Sequence, residues 1–195
     1  MSNLKNILLN QKMDCKSIWF MRQAGRYLPE FRSIRLKHPN FINLCLNSDL
    51  SSQITLQPIK RYDLDSAIIF SDILIVPYAM GQEIDFVKNK GPKLSKFVLE
   101  KFLDNNKENF TKKLDPVYQA IAKTRKKLDK RKTLIAFIGA PWTLLTYMLG
   151  VKNKPKENNM DDKNKIEKII KNLIDYLCLH IKKQIEAGAN VVQIF

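Results

Sequence analysis

A chain of 195 residues that is 45% hydrophobic can bury a substantial core, and one domain is the expectation. The formal charge of +15 invites a nucleic-acid reading, but the excess is mostly lysine scattered through asparagine-rich stretches such as 105–113 and 152–171. No helix-turn-helix, zinc-finger or aromatic RNA-platform pattern accompanies it, so the charge reads as solvated surface and nucleic acid is not an expected partner.

Cys15, Cys45 and Cys178 are odd in number, far apart and without a CxxC pair, and His38 and His180 are isolated. Neither a disulfide framework nor a zinc site is indicated. The opening residues MSNLKNILLN hold too short an apolar run for a secretory signal. The longest apolar stretch, 73–80, is interrupted by Pro77 and falls far below the ~20 residues that span a bilayer. A soluble, reducing, cytoplasmic setting follows, with no membrane partner.

In chain order, residues 17–21 (SIWFM) read as a first strand, followed by an arginine-rich loop and a helix that opens near Pro29, a favourable first-turn proline. Residues 48–61 read as a helix with Ser48, Asp49 or Ser51 as its cap. Residues 66–71 (SAIIFS) form a nearly continuous apolar strand of the kind buried on both faces in parallel sheets. Residues 83–87 suggest a small accessory strand before the Gly91-Pro92 turn. A helix over 116–130 and a buried strand over 133–138 (TLIAFI) come next. Gly139-Ala140-Pro141 then turns into a helical segment carrying Trp142, Tyr147 and Met148. A long amphipathic helix over 161–187 is closed by Gly188, and 190–195 (NVVQIF) is a strand. Four principal strands alternating with helices predict an α/β fold with parallel pairing. A domain seldom stops on an apolar parallel strand, whose edge and faces then lack partners, so a portion of a larger domain is expected.

The chain holds 7 arginines against 27 lysines, and Arg22, Arg26, Arg32 and Arg35 fall within 14 positions. Guanidinium presents a planar fork that pairs with a carboxylate or phosphate through two bonds, which an ammonium cannot do. A solvated basic helix face is the plain alternative. Trp19, Met21, Tyr27, Leu28 and Phe31 interleave with the charges, so the segment reads as a site for a polyanion with an apolar body.

Function in parallel α/β architecture gathers beyond the carboxyl ends of the strands. There the sequence sets Arg22, Gln23, Gly25 and Arg26 after the first strand, and Ser71 and Asp72 after the second. After the third come Gly139, Ala140, Pro141, Trp142 and, a turn later, Tyr147. Gly25 allows close approach of a ligand or a positive φ. Asp72 is equally placed to cap a helix, and Tyr147 to pack in the core with a satisfied hydroxyl. Arginines can grip carboxylates, and one buried carboxylate can accept N–H hydrogen bonds and stabilise a developing cation. There is no nucleophile with an adjacent base and no glycine-rich phosphate loop. The residues therefore describe a binder or converter of a polycarboxylate with apolar and N–H surface.

The strings IWFMRQAGRYLPEFR from Ile18, LDSAIIFSDILIVPYAMG from Leu64, KGP from Lys90, GAPWTLLTYM from Gly139 and the closing AGANVVQIF run in the order seen in one family. The chain resembles the N-terminal part of the uroporphyrinogen decarboxylase family. The resemblance implies a distorted (β/α)8 barrel of TIM type, with about the first half of the barrel in residues 1–195. It implies removal of four acetate carboxyl groups from uroporphyrinogen III to give coproporphyrinogen III, with no metal or organic cofactor and a homodimer for the full-length enzyme. By motif, Arg22 and Arg26 with Gln23, Ala24 and Gly25 would bind substrate carboxylates, and Arg35 would join them. Asp72 would accept the pyrrole N–H groups and stabilise the protonated ring, and Tyr147 would orient an acetate arm.

A closed barrel of this type needs about 250 residues or more, so the isolated polypeptide is expected to show little decarboxylase activity and to self-associate through open strand edges. The family's acidic, glycine-rich continuation after Tyr147 is replaced by Leu149-Gly150-Val151-Lys152. The competing expectations are a porphyrinogen-binding chain without turnover and a corrinoid-dependent methyltransferase on the related barrel; the arginine motif argues against the second.

Overall fold

The structure is a computed structural model that describes residues 3–9, 16–87, 91–150 and 162–195. Cys15, Lys90 of the KGP string, Val151, Lys152 and the expected helix start at Asp161 lie outside the described residues.

The chain begins with α1 (Asn3–Leu8), α2 (Pro29–Lys37), α3 (Phe41–Cys45) and α4 (Ser48–Arg61). Pro29 sits in the first turn of α2, where a missing N–H is harmless. Asparagines cap the next two helices: Asn40 Oδ1 accepts the Asn43 N–H at 2.9 Å, and Asn47 Oδ1 the Leu50 N–H at 3.0 Å. The bounds of α4 are those expected, but its cap is Asn47 rather than Ser48, Asp49 or Ser51. Ser51 faces inward instead and donates to Phe70 O at 2.6 Å.

Next come β1 (Ser66–Ile68), α5 (Ile75–Ala79), a hairpin of β2 (Ile84–Val87) and β3 (Gly91–Leu94), and α6 (Leu99–Leu103). The chain closes with α7 (Lys107–Lys127), β4 (Thr133–Ile138), α8 (Pro141–Met148), α9 (Lys163–Glu186) and β5 (Val191–Ile194). β1, β4 and β5 form one sheet in the order β1-β4-β5, with β1 and β4 parallel and Ser66, Ala67 and Ile68 opposite Thr133, Leu134 and Ile135. The hairpin is a separate antiparallel pair, and the sequence reading anticipated only its first strand.

Three differences from expectation have physical causes. Residues 17–21 are not a strand. The Ile18 N–H donates to Asp65 Oδ2 at 2.8 Å, and the Asp65 N–H to Ile18 O at 3.3 Å, but the next link to β1 is through the Gln23 side chain. A parallel ladder advances one residue for one. Here five residues span a step of about two, so the chain bows outward and Phe20, Met21 and Arg22 are exposed. Secondly, β1 is shorter than 66–71: the last bond to β4 is the Ile69 N–H on Ile135 O at 2.9 Å, and on the opposite edge the Phe70 N–H donates to Thr55 Oγ1 at 2.9 Å while Phe70 O accepts from Ser51, so that Phe70 is held by α4. Thirdly, α7 starts nine residues before the expected position and carries Pro116 inside it. Phe110, Leu114, Val117 and Ile121 keep helical spacing across the proline, and all four are at most 2% exposed. Each such burial contributes about 1.5–3 kcal/mol, which together outweigh a penalty of about 3 kcal/mol for the interior proline.

Residue contacts divide the chain into two compact units, the first being Met1–Ser71, Pro116–Phe137 and Lys182–Gln193, the second Asp72–Asp115, Ile138–Ile181 and Ile194–Phe195. In the first, Leu28, Phe31, Leu44 and Ile54 form a buried cluster that Ala24, Ile34, Leu50 and Phe70 surround. The Arg125 guanidinium ties its elements together, donating to Leu128 O, Asp129 O, Lys132 O and Asn190 Oδ1 at 2.8–3.0 Å. Asn190 Oδ1 also accepts the Leu134 N–H at 2.9 Å. Gly188 closes α9 as expected, with φ +110. In the second unit Phe110, Leu114, Ile169 and Leu173 are fully buried, and Phe110 meets the rings of Tyr176 and His180 edge-on at 4.9 and 6.2 Å. Among the described residues, no helix is long and apolar enough to cross a membrane.

Candidate functional site

In the first unit, the loop that follows the bowed segment is held from several directions. Gln23 is 3% exposed; its Nε2 donates to Ser66 O at 2.7 Å and its Oε1 accepts the Ile68 N–H at 3.2 Å. The Tyr27 hydroxyl donates to Gln23 O, and the Leu28 N–H to Gly25 O at 3.0 Å. Arg32 Nη1 donates to Arg26 O at 2.8 Å and Tyr27 O at 3.3 Å. Ala24 packs on the Leu28–Phe31 cluster. The apolar residues interleaved with the arginines thus divide: Leu28 and Phe31 are core, while Met21 and Tyr27 are 52% and 54% exposed.

The arginines divide as well. Arg35 Nη1 donates to His38 O at 2.7 Å and Pro39 O at 3.0 Å at the end of α2, and its guanidinium lies over the Phe41 ring, 5.5 Å from the centroid. Arg61 makes a two-bond pair with Glu30 at 3.0 and 3.2 Å, and Arg131 pairs with Asp129. Arg125 serves the carbonyls described above. Of the arginine side chains, all within the described residues, those of Arg22 and Arg26 alone have neither hydrogen bond nor ion pair there, and both are exposed. The sequence reading set Arg22 and Arg26 in the loop and added Arg35 to them; the structure sets Arg35 apart, because the carbonyls at the α2 helix end lie within its reach. Gly25 does not use the left-handed region, and an added Cβ would meet only the Tyr27 ring, at 3.6 Å. Any demand for glycine there comes from outside the chain's own packing.

Asp72 and Tyr147 belong to the second unit. Asp72 follows the end of β1 and turns the chain into α5: its Oδ1 accepts the Leu74 N–H at 2.8 Å, and its backbone carbonyl accepts the Ile75 N–H at 3.3 Å. Asp72 therefore shapes the turn that precedes α5 instead of capping that helix, whose N-cap position is Leu74 without a side-chain bond, and it uses one oxygen for this. Oδ2 has no partner among the described residues and can accept a donor. Burial raises the carboxyl pKa, and the Leu74 N–H offsets this only in part. Tyr147 is half-buried on α8, whose first turn is set by Pro141 after Gly139-Ala140. Gln82, which sequence reasoning passed over, braces that helix: its Nε2 donates to Met148 O at 3.0 Å and to Ser95 O at 2.7 Å. An open cavity of about 480 Å³ in this unit is lined by Lys96, Phe97, Leu99 and Lys168 among others and includes none of the expected site residues. Among the described residues, no group of three or more His, Cys, Asp or Glu side chains could hold a metal.

The arrangement offers two exposed guanidinium forks on a braced loop in one unit, and a half-buried carboxylate with one open oxygen in the other. Comparison with known proteins gives these groups a context. The family model described as "Uroporphyrinogen decarboxylase (URO-D)" matches residues 1–195. Proteins named uroporphyrinogen decarboxylase from Orientia tsutsugamushi and Rickettsia bellii are 46% and 42% identical over 184 and 183 residues, covering 91% of this chain in each case. One from Roseobacter denitrificans is 39% identical over 199 residues. The chain spans about half the length of these relatives, 53%, 54% and 57% respectively. A methyltransferase from Methanosarcina mazei superposes with a TM-score of 0.78 at 18% identity, over 98% of this chain and 57% of that one. That likeness concerns the fold alone, and the fold is α/β of the (β/α)8 barrel type. With the family model matched over residues 1–195 and relatives of that name 39–46% identical, the chain belongs to the uroporphyrinogen decarboxylase family.

Proposed function

We propose that the chain acts in the decarboxylation of uroporphyrinogen III to coproporphyrinogen III, as the N-terminal portion of a single barrel domain. Arg22 and Arg26 grip substrate carboxylates, with the backbone of Gln23, Ala24 and Gly25 close against them. Arg35 contributes less, since its Nη1 is engaged with His38 O and Pro39 O. The open oxygen of Asp72 accepts pyrrole N–H groups, and its charge stabilises the cation formed when a pyrrole ring is protonated. Each acetate arm then loses CO2, a proton takes its place, and a methyl group remains. Tyr147 orients an acetate arm. The same reading carries a cytoplasmic setting, no metal or organic cofactor, and a homodimer for the full-length enzyme. The observation that supports it is the pair of arginine side chains without a partner among the described residues, in a chain that the family model matches over residues 1–195.

The test separates binding from turnover. Uroporphyrin, the oxidised octacarboxylate, should bind the 195-residue chain with an affinity that falls as salt rises, and Arg26→Lys should weaken it although charge is kept, because the fork is lost. Binding indifferent to both Arg22→Ala and Arg26→Ala refutes the carboxylate role. Anaerobic incubation with uroporphyrinogen III, followed by separation of products by carboxylate number, then tells decarboxylation from binding without turnover.

A further inference from the structure

Gln23 stands in the middle of the arginine motif, yet its side chain is turned away from solvent into the edge of β1. β4 covers the other edge of that strand. In a parallel ladder, a residue facing position i donates its N–H to the carbonyl of i−1 and accepts the N–H of i+1 through its own carbonyl. The Gln23 amide makes this pair of bonds around Ala67, Nε2 to Ser66 O at 2.7 Å and Oε1 from the Ile68 N–H at 3.2 Å. The side chain takes the place of the strand that residues 17–21 do not form. Without it, a backbone carbonyl and an N–H of a fully buried strand would lose their partners.

We infer that Gln23 is the positioning residue for Arg22 and Arg26, fixing their loop to β1 so that the two guanidinium forks are aligned before a polycarboxylate arrives. The inference rests on the carboxylate-binding reading above and replaces a direct substrate contact by the Gln23 side chain with an indirect one. Arg22 is the preceding residue, and Arg26 lies within a turn closed by the Tyr27 hydroxyl on Gln23 O and by Arg32 on Arg26 O. A loop anchored at both points has little freedom left to lose when a ligand binds, and pre-alignment raises affinity by that route. Glutamine suits the task because it carries donor and acceptor together at this reach. Asparagine is one methylene shorter, and glutamate at neutral pH only accepts.

The experiment uses the 195-residue chain, uroporphyrin as the probe, and amide hydrogen exchange at Ile68. Gln23→Leu should accelerate Ile68 exchange and weaken uroporphyrin binding by on the order of tenfold. In a background already carrying Arg22→Ala and Arg26→Ala, the same change should alter binding by less than about twofold, since there is no fork left to align. Gln23→Asn keeps a polar interior if the leucine variant does not fold, and should behave in the same way. Equal weakening in both backgrounds assigns Gln23 to general stability and overturns the positioning role. So does unaltered binding in Gln23→Leu, or Ile68 exchange that does not change. A wild-type chain that fails to bind uroporphyrin overturns the carboxylate-binding reading itself and the positioning role with it.

Discussion

Gly139 offers a sharp quantitative test, because two effects of opposite sign meet there. It ends β4 and precedes the first turn of α8, and its φ lies outside the left-handed region, so alanine is conformationally acceptable. On that ground alone Gly139→Ala should stabilise the protein by about 0.4–1 kcal/mol, through a less flexible unfolded chain. The space contradicts this. An added Cβ would sit 2.7 Å from Leu144 Cδ2, 2.9 Å from Leu144 Cγ and 3.2 Å from Ile73 Cβ. Leu144 is fully buried, so its side chain has no open direction in which to rotate. Overpacking of this kind costs about 1–3 kcal/mol. The net expectation is a loss of about 1–2 kcal/mol, equivalent to roughly 2–8 °C in Tm for a chain of this size. Thermal and urea unfolding of the two proteins measure it. Adding Leu144→Ala, costly by itself, should cost less in the Gly139→Ala background by the amount of the relieved clash. A Gly139→Ala protein as stable as the parent, or more so, refutes the argument that Leu144 and Ile73 leave only a glycine-sized gap at residue 139.

Burial pushes the His180 pKa down to about 3 from its ordinary 6.5. The folded state therefore resists a proton that the unfolded state accepts, and stability should fall by about 1.4 kcal/mol per pH unit below 6.5. His180→Gln should remove that slope; because Asp72, with its raised pKa, acts in the opposite sense, the variant and parent are compared at each pH, and parallel curves between pH 7.5 and 5.5 contradict the prediction. Arg125→Lys leaves the Leu128, Asp129 and Lys132 carbonyls between α7 and β4 without the fork, and should lower stability by on the order of 2 kcal/mol; an unmoved urea midpoint removes Arg125 from its central place. Asp72→Asn retains an acceptor for the Leu74 N–H and removes a half-buried charge. Stability at neutral pH should hold or rise while decarboxylation, measured in a full-length version, falls on the order of 10²–10³-fold; near-normal turnover takes the carboxylate out of the chemistry.

The elements that sequence reading placed well are those whose pattern is continuous. β4, with four consecutive buried residues from Thr133 to Ala136, and α9, with a sustained apolar stripe closed by Gly188, leave few alternatives. The bowed segment at 17–21 misled because Ile18, Trp19, Phe20 and Met21 have strand composition, yet Ile18, Phe20 and Met21 are more than half exposed. Composition records what a side chain tolerates and not what its backbone pairs with. Pro116 misled in the other direction, since a local rule against helix gave way to burial of Phe110 and Leu114 from a distance. At the site, the motif was legible but the division of labour within it was not. Arg35 and Arg22 are the same chemical group, and only the positions of the His38 and Pro39 carbonyls separate them.

The pair of α4 hydroxyls on Phe70 completes an edge of β1 that no strand covers among the described residues. Ile69 donates its N–H to Ile135 O, so the peptide groups of Phe70 point to the opposite side, where the Gln23 amide takes Ser66 O and the Ile68 N–H. Thr55 Oγ1 and Ser51 Oγ take the Phe70 N–H and O on that same side. Three side chains from outside the sheet thus stand in series where a neighbouring strand would run, and an incoming strand would find those groups already engaged. Closure of this edge is a matter of two hydroxyls and an amide, and it would be lost with them although no strand residue had changed.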